Sequence, residues 1–237
     1  FAGAYSEGVP FVYGFSPRVV PRPDDWPAAH RIAGYWFLDR PPDWRPPAAL
    51  AGFLQEPGPV VFIGFGSWTH SQAPVSLELI AQATRQAGLR AVVSLDARSA
   101  APPMLPPWLH RADDVPHDWL FPRMAAVAHH GGAGTTAAAL RAGVPMLTLP
   151  AGVDQRFWGR RAAALGVAWP PLDRRHLTVD QLAGALRAAA GDGALREKAR
   201  ALGAAIAAED GAGRAVALIQ ARVPPDRCTM GVLCAST

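Results

Sequence analysis

The sequence holds only two cysteines, Cys228 and Cys234, both within its last ten residues. That excludes a disulfide framework, and without a CxxC pair there is no zinc or redox motif, so a reducing compartment, the cytoplasm, is expected. No apolar run reaches the ~18 to 20 residues that cross a bilayer, because glycine, proline or a charge interrupts each one. The opening FAGAYSEGVPF lacks a basic segment leading into an apolar signal core. Concentrated positive charge is missing too. The net +4 is spread in pairs such as Arg160 with Arg161 and Arg174 with Arg175, with no basic block interleaved with aromatics, so nucleic acid is not an expected partner.

What the chain does have is apolar mass: half of its 237 residues, ample for a buried core. Residues 1–50 are dense in proline and tryptophan, with PRPDDWP at 21–27 and RPPDWRPP at 40–47. Such a segment cannot build a core of its own and reads as a linker or the tail of a domain lying elsewhere. From residue 59 the texture changes. PVVFIGFGS is a continuous apolar run of the buried parallel-strand type, and SLELIAQATRQAG reads as a helix stopped by Gly88.

The alternation continues. LRAVVSL, MAAVAHH and VPMLTLP read as strands, TTAAALRAG as a helix closed by Gly143, and FWGRRAAALG, VDQLAGALRAAAG and ALREKARALGAAIAAE as further helices. Strands alternating with helices require right-handed crossovers, which predicts an α/β fold, a Rossmann-like doubly wound parallel sheet over about 50–222. In such sheets ligands bind beyond the C-terminal ends of the strands. GFGS, HHGGAG and PAGVDQ all follow strands.

The loop in VAHHGGAGTTAAALRAGVP admits several readings. Gly131, Gly132 and Gly134 let a backbone approach a ligand, and Thr135 and Thr136 open a helix whose N–H groups suit a pyrophosphate. No lysine follows the glycines, so the loop is not a Walker A motif. Gly132, Gly134 and Ala137 match the GxGxxA of a dinucleotide site, with Asp154 at about the acidic-residue distance. Asp154 lies past the strand end, however, where a ribose clamp does not belong. A metal is disfavoured, because adjacent His129 and His130 on a strand point to opposite faces and no third ligand has matching spacing. A plain strand-to-helix turn stays open on this loop alone.

Two other strand ends add polar groups: Ser67 after GFG, and Asp154 with Gln155. VPHDWLF at 115–121 offers an extended backbone beside Pro116 that could meet a base edge, with Trp119 and Phe121 as core aromatics.

SPRVVPRPDDWP, GYWFLDRPPDW, VFIGFGS, VPHDWLFPRMAAVAHHGGAGTTAAALRAGVP and DQRFWGRRAAALGVAWPPL run in one order through most of residues 16–172. Together they resemble the family 1 glycosyltransferases of GT-B fold, in the branch of sterol glucosyltransferase-like and antibiotic glycosyltransferases. The resemblance implies that 51–222 is a nucleotide-sugar domain, the C-terminal half of a GT-B enzyme. Residues 1–50 would then be the remnant of an N-terminal acceptor domain and its linker, and 223–237 a disordered tail.

By the same resemblance Ser67 lies near the diphosphate, and Val115 and His117 meet the base. His130 binds the diphosphate, with Gly132, Ala133, Gly134 and Thr135 as donors, and Asp154 and Gln155 hold the sugar hydroxyls. It implies a UDP- or dTDP-hexose as donor substrate, most naturally UDP-glucose, no metal or other cofactor, and a lipophilic acceptor such as a sterol or polyketide.

An inverting transfer needs a base on the acceptor hydroxyl and stabilisation of the leaving diphosphate. No residue of this chain is assigned as the base, since the family's catalytic histidine and its aspartate belong to the acceptor domain. The expectation is therefore the donor-binding part of a hexosyltransferase, with a non-catalytic nucleotide-binding or interaction module as the alternative. Three departures stand out: VSLDARS at 93–99 lacks a Gly-Trp turn, Ala138 stands where plant relatives carry a glutamate, and 223–237 resembles nothing in the family.

Overall fold

The computed structural model describes residues 10–65, 75–94 and 104–221. Ser67, most of the 93–99 departure and the 223–237 tail lie outside the described residues. In chain order the elements are β1 Phe11–Tyr13, β2 His30–Ile32, α1 Ala48–Gln55, β3 Val60–Gly64, α2 Leu77–Ala87, β4 Arg90–Ser94, β5 Leu109–Arg111 and α3 His117–Leu120. There follow β6 Val127–His129, α4 Ala133–Ala142, β7 Met146–Thr148, α5 Val153–Ala164, β8 Ala168–Trp169, α6 Val179–Gly191, α7 Gly193–Ala207 and α8 Gly211–Gln220.

The chain divides into two compact units, Leu38–Ala207 and a smaller one that joins the N-terminal residues through Phe37 to the segment from Ala208 onward. The proline-rich stretch after residue 38 thus groups with the large unit, whereas the sequence reading groups it with residues 1–50.

The large unit is built on a six-stranded, wholly parallel sheet in the order β5-β4-β3-β6-β7-β8. Counted from its own first strand, that order is 3-2-1-4-5-6, the doubly wound arrangement expected from the alternation of strands and helices. Every residue of β3, VVFIG, is buried, as a strand covered on both faces must be. Val61 and Ile63 point to one face with Ala91, Val93, Ala128 and Leu147, against Ile80 and Ala83 of α2 and Leu182 and Leu186 of α6. Phe62 points to the other, where its ring lies 5.1 Å from that of Phe121. Each fully buried leucine or isoleucine contributes about 1.5–3 kcal/mol relative to exposure, so two such layers set the fold.

Helix boundaries follow local chemistry. Ser76 caps α2 by accepting from the Leu79 N–H at 3.1 Å, and Gly88 ends it in the left-handed region. Gly143 ends α4 in the same way, as read from the sequence. Two starts differ from the sequence reading. α4 begins at Ala133 rather than at Thr135, and α5 begins at Val153, so Asp154 and Gln155 lie in its first turn instead of in a loop. Both helices open on a glycine N-cap, which carries no side-chain signal to mark the boundary.

α4 and α7 approach at backbone contact. A Cβ on Gly203 of α7 would stand 2.6 Å from the Gly143 Cα and 2.7 Å from the Leu140 carbonyl oxygen, and neither can swing away as a side chain can. Gly203→Ala is therefore expected to destabilise the chain by about 1–2 kcal/mol, the overpacking cost less alanine's better helix propensity. A urea melt checks this, and an unchanged midpoint would show that the helices separate freely.

In the small unit β1 pairs with β2 in parallel, Phe11 opposite His30. Here Ser16 Oγ donates to Glu209 Oε1 at 2.7 Å, with Arg18 Nε 3.6 Å from the same oxygen. Burial and the Glu209 carboxylate push the Tyr35 phenol upward, so it stays neutral. These contacts join residues far apart in sequence, which composition alone did not show.

Candidate functional site

The sheet order reverses between β3 and β6, so the crevice outside their C-terminal ends is the place where a doubly wound sheet takes a ligand. His129 closes β6 and pairs in register with Gly64 of β3 and Thr148 of β7. The glycine loop leaves from this point.

His129 is fully buried. Its Nδ1 accepts from the Gly131 N–H at 3.1 Å, which folds the loop back onto the strand end. Gly131 then turns at φ +88, with the Gln155 carbonyl oxygen 2.8 Å from where a Cβ would be. Only glycine meets both demands. The turn brings the loop against the first turn of α5, placing the Asp154–Gln155 pair beside the glycines.

His130 leaves the strand on the other side and its ring lies against Gly132. Its Nδ1 is buried without a partner. Burial and the Arg174 charge pull His130 below the usual histidine range, while Asp154 pulls it back up. The imidazole is thus neutral near pH 7 and has one N–H to give. Gly132 is the N-cap of α4 and supplies no side-chain cap. The first helical bond of α4 runs from the Thr136 N–H to the Gly132 carbonyl at 2.9 Å, so the N–H groups of Ala133, Gly134 and Thr135 have no acceptor within the helix. Ala133 and Gly134 are exposed and Thr135 is half-buried. Three free N–H groups at the positive end of a helix form an anion-binding cradle.

Asp154 is exposed, whereas Gln155 is buried, its Oε1 accepting from the Ala151 N–H at 2.8 Å and the Gly152 N–H at 3.1 Å. Gln155 therefore spends its carbonyl on holding the loop before α5. The extended backbone read at 115–121 stops at Pro116, where α3 begins. Asp114, at φ 55, turns the chain into Val115, which is half-buried. The His117 ring stacks on Phe121 at 4.2 Å and meets the edge of Phe62 at 6.0 Å. Burial lowers its pKa, against an upward pull from Asp118. Trp119 and Phe121 are core residues, as expected. Ser67 lies outside the described residues.

Several buried polar atoms lie near the strand ends, of which the sequence reading singles out His129 and Thr136 but not Thr148 or Arg174. Thr136 Oγ1, Thr148 Oγ1, His129 Nε2 and two nitrogens of Arg174 are buried without a hydrogen-bond partner among the described residues. A buried polar group left unpaired costs roughly 1–3 kcal/mol, so each of these atoms is a cost to the fold. The sequence reading has Thr136 facing an anion with Thr135, but its N–H is spent on the Gly132 carbonyl and its hydroxyl is buried. Arg174 could not be read as a site residue, since a basic pair after PPLD carries no pattern. Among the described residues no group of three histidine, cysteine or carboxylate side chains could hold a metal ion.

Sheet order, open helix N-terminus and glycine loop together define a Rossmann-like doubly wound domain whose switch point can take an anion. Residues 79–219 match the family described as "Erythromycin biosynthesis protein CIII-like, C-terminal domain", and the chain belongs to it. It is 42% identical over 223 residues to a sterol 3-beta-glucosyltransferase of Emericella nidulans, covering 89% of this chain and 16% of that protein. It is 40% identical over 212 residues to the O-mycaminosyltylonolide 6-deoxyallosyltransferase of Streptomyces fradiae, covering 89% of this chain and 49% of that protein. The crystal structure of the glycotransferase of kitacinnamycin superposes with a TM-score of 0.71 at 24% identity, over 90% of this chain and 55% of that one. The chain thus spans half or less of the curated relatives cited. No helix among the described residues is long and apolar enough to cross a membrane.

Proposed function

We propose that the large unit binds the nucleotide-sugar donor of an inverting hexosyltransferase, with UDP-glucose as donor and a lipophilic hydroxyl, such as that of a sterol or polyketide, as acceptor. The observation that carries this reading is the uncapped N-terminus of α4 beside the neutral His130 at the sheet's switch point. In it, the N–H groups of Ala133, Gly134 and Thr135 and the His130 ring hold the diphosphate and stabilise it as it leaves. Gly132 lets the His130 ring lie close, the Val115–His117 segment meets the base, and Ser67, outside the described residues, is assigned to the phosphates by resemblance alone.

Asp154, exposed and beside His130, accepts from the sugar hydroxyls. Gln155 holds the loop through its carbonyl and keeps its amide N–H groups for the sugar. Glucose is favoured by the 42% identity to a sterol 3-beta-glucosyltransferase. A reducing compartment, the cytoplasm, suits a chain whose two cysteines lie at one end. The acceptor and the base are supplied by a partner domain of GT-B type.

Asp154→Ala tests the sugar assignment. It is expected to weaken UDP-glucose binding about five- to tenfold while leaving UDP unchanged, as read by calorimetry. Equal losses for both ligands would move Asp154 away from the sugar.

A further inference from the structure

We propose that Arg174 is a further ligand of the donor's diphosphate, supplying the positive charge that the glycine loop itself lacks. The inference rests on the diphosphate reading above. Residues 127–140, from β6 through most of α4, contain neither lysine nor arginine, so a dianion held there meets only N–H dipoles and a neutral histidine. Two cations that flank this segment are engaged elsewhere: Arg141 pairs with Asp39 at 2.6 Å, and the Arg123 guanidinium stacks 4.3 Å over the Trp119 ring.

Arg174 reaches the crevice from the opposite side of the sequence. After β8 the chain turns back across the end of β7, where the Leu172 N–H donates to the Thr148 carbonyl at 2.9 Å. Asp173 then accepts from the Arg175 N–H at 3.0 Å and fixes a short 3-10 turn over Arg174–His176. This carries Arg174 to the rim formed by β3, β6 and β7. Its guanidinium carbon lies 5.8 Å from the ring of Phe65, the first residue after β3, and its charge is felt by His130 on the other side of the crevice.

The residue is only 6% exposed. Its Nε and Nη2 are buried without a partner, and no carboxylate among the described residues forms an ion pair with it. A guanidinium left this way is costly to a fold and is ordinarily paired. An anion of two phosphates, seated on α4 between His130 and Phe65, is the counter-charge its fork geometry fits.

The test uses the whole chain, titrated with UDP by calorimetry and with uridine by NMR shifts, as wild type, Arg174→Gln and Arg174→Lys. Arg174→Gln is expected to lose UDP affinity roughly ten- to hundredfold, as for a lost charge-assisted bond, with uridine binding kept. Its melting temperature without ligand is expected to hold or rise, because an unpaired buried charge is gone. Arg174→Lys is expected to recover part of the UDP affinity, through charge without the fork. UDP affinity within twofold of wild type in Arg174→Gln, or an equal loss of UDP and uridine, overturns the assignment. If that variant does not fold, Arg174→Lys decides: weaker UDP with uridine kept supports the assignment, and unchanged UDP overturns it. A wild-type chain that binds uridine but gains nothing from the two phosphates refutes the diphosphate reading itself, and this inference with it.

Discussion

Acidification from pH 7 to 4 is expected to destabilise the chain through His129, at about 1.4 kcal/mol per pH unit below the unfolded histidine pKa. The ring is fully buried at the end of β6, and its Nδ1 accepts from the Gly131 N–H, so the neutral form carries its proton on Nε2. A second proton would set Nδ1–H against Gly131 N–H and break the bond that folds the loop. Burial, reinforced by His130 and His117, holds the pKa at about 3, below the ordinary 6.5. The sign follows from that direction. Because the folded value is depressed, stability is whole above pH 6.5 and falls as the pH drops toward 3, where the unfolded chain takes up a proton that the folded chain refuses.

Burial lowers His110, His117 and His130 too, and they add in the same sense. Urea midpoints at pH 7, 6, 5 and 4 for wild type and His129→Gln isolate the one group. The stability difference between the two chains is expected to narrow by about 1.4 kcal/mol for each unit below 6.5, and parallel curves would place the proton elsewhere.

His130→Ala is expected to weaken UDP binding by ~1.5 to 3 kcal/mol, roughly ten- to hundredfold, by removing a donor to a charged phosphate oxygen. The substitution leaves the fold's main bonds in place. His130 makes no hydrogen bond that holds the loop, in contrast to His129, and its ring lies on Gly132 rather than in the core. Circular dichroism should therefore match wild type. An unchanged dissociation constant would take the diphosphate role from His130.

The two histidines show how far the sequence could be read. Their adjacency on a strand already split them between two faces, and the family resemblance gave the second to the phosphates. That His129 anchors the loop through Gly131 depends on a φ of +88 that no residue pattern announces. The central strands, α2 and α4 with their terminating glycines, and the sheet class were legible because buried parallel strands and capped helices leave continuous apolar runs and punctuating glycines. β8 and β5 were not: β8 has two residues, and β5, LHR, carries two polar ones, so it leaves no continuous apolar run like those around the equally short β6 and β7.

At the site, the position of the glycine loop between β6 and α4 was legible from sequence. The inward turn of Gln155 was not, because it follows from where α5 begins, and a glycine N-cap hides that start. Arg174 was invisible for a different reason. Its position depends on a long-range bond between Leu172 and Thr148, not on anything beside it in sequence.

The central claim is that the crevice between β3 and β6 takes a nucleoside diphosphate rather than a dinucleotide. Calorimetric titration of the purified chain with UDP, dTDP and NAD tests it most directly. Saturable one-to-one binding of UDP or dTDP, lost in His130→Ala, with no heat from NAD, is the expected result. NAD binding with neither UDP nor dTDP bound would contradict it.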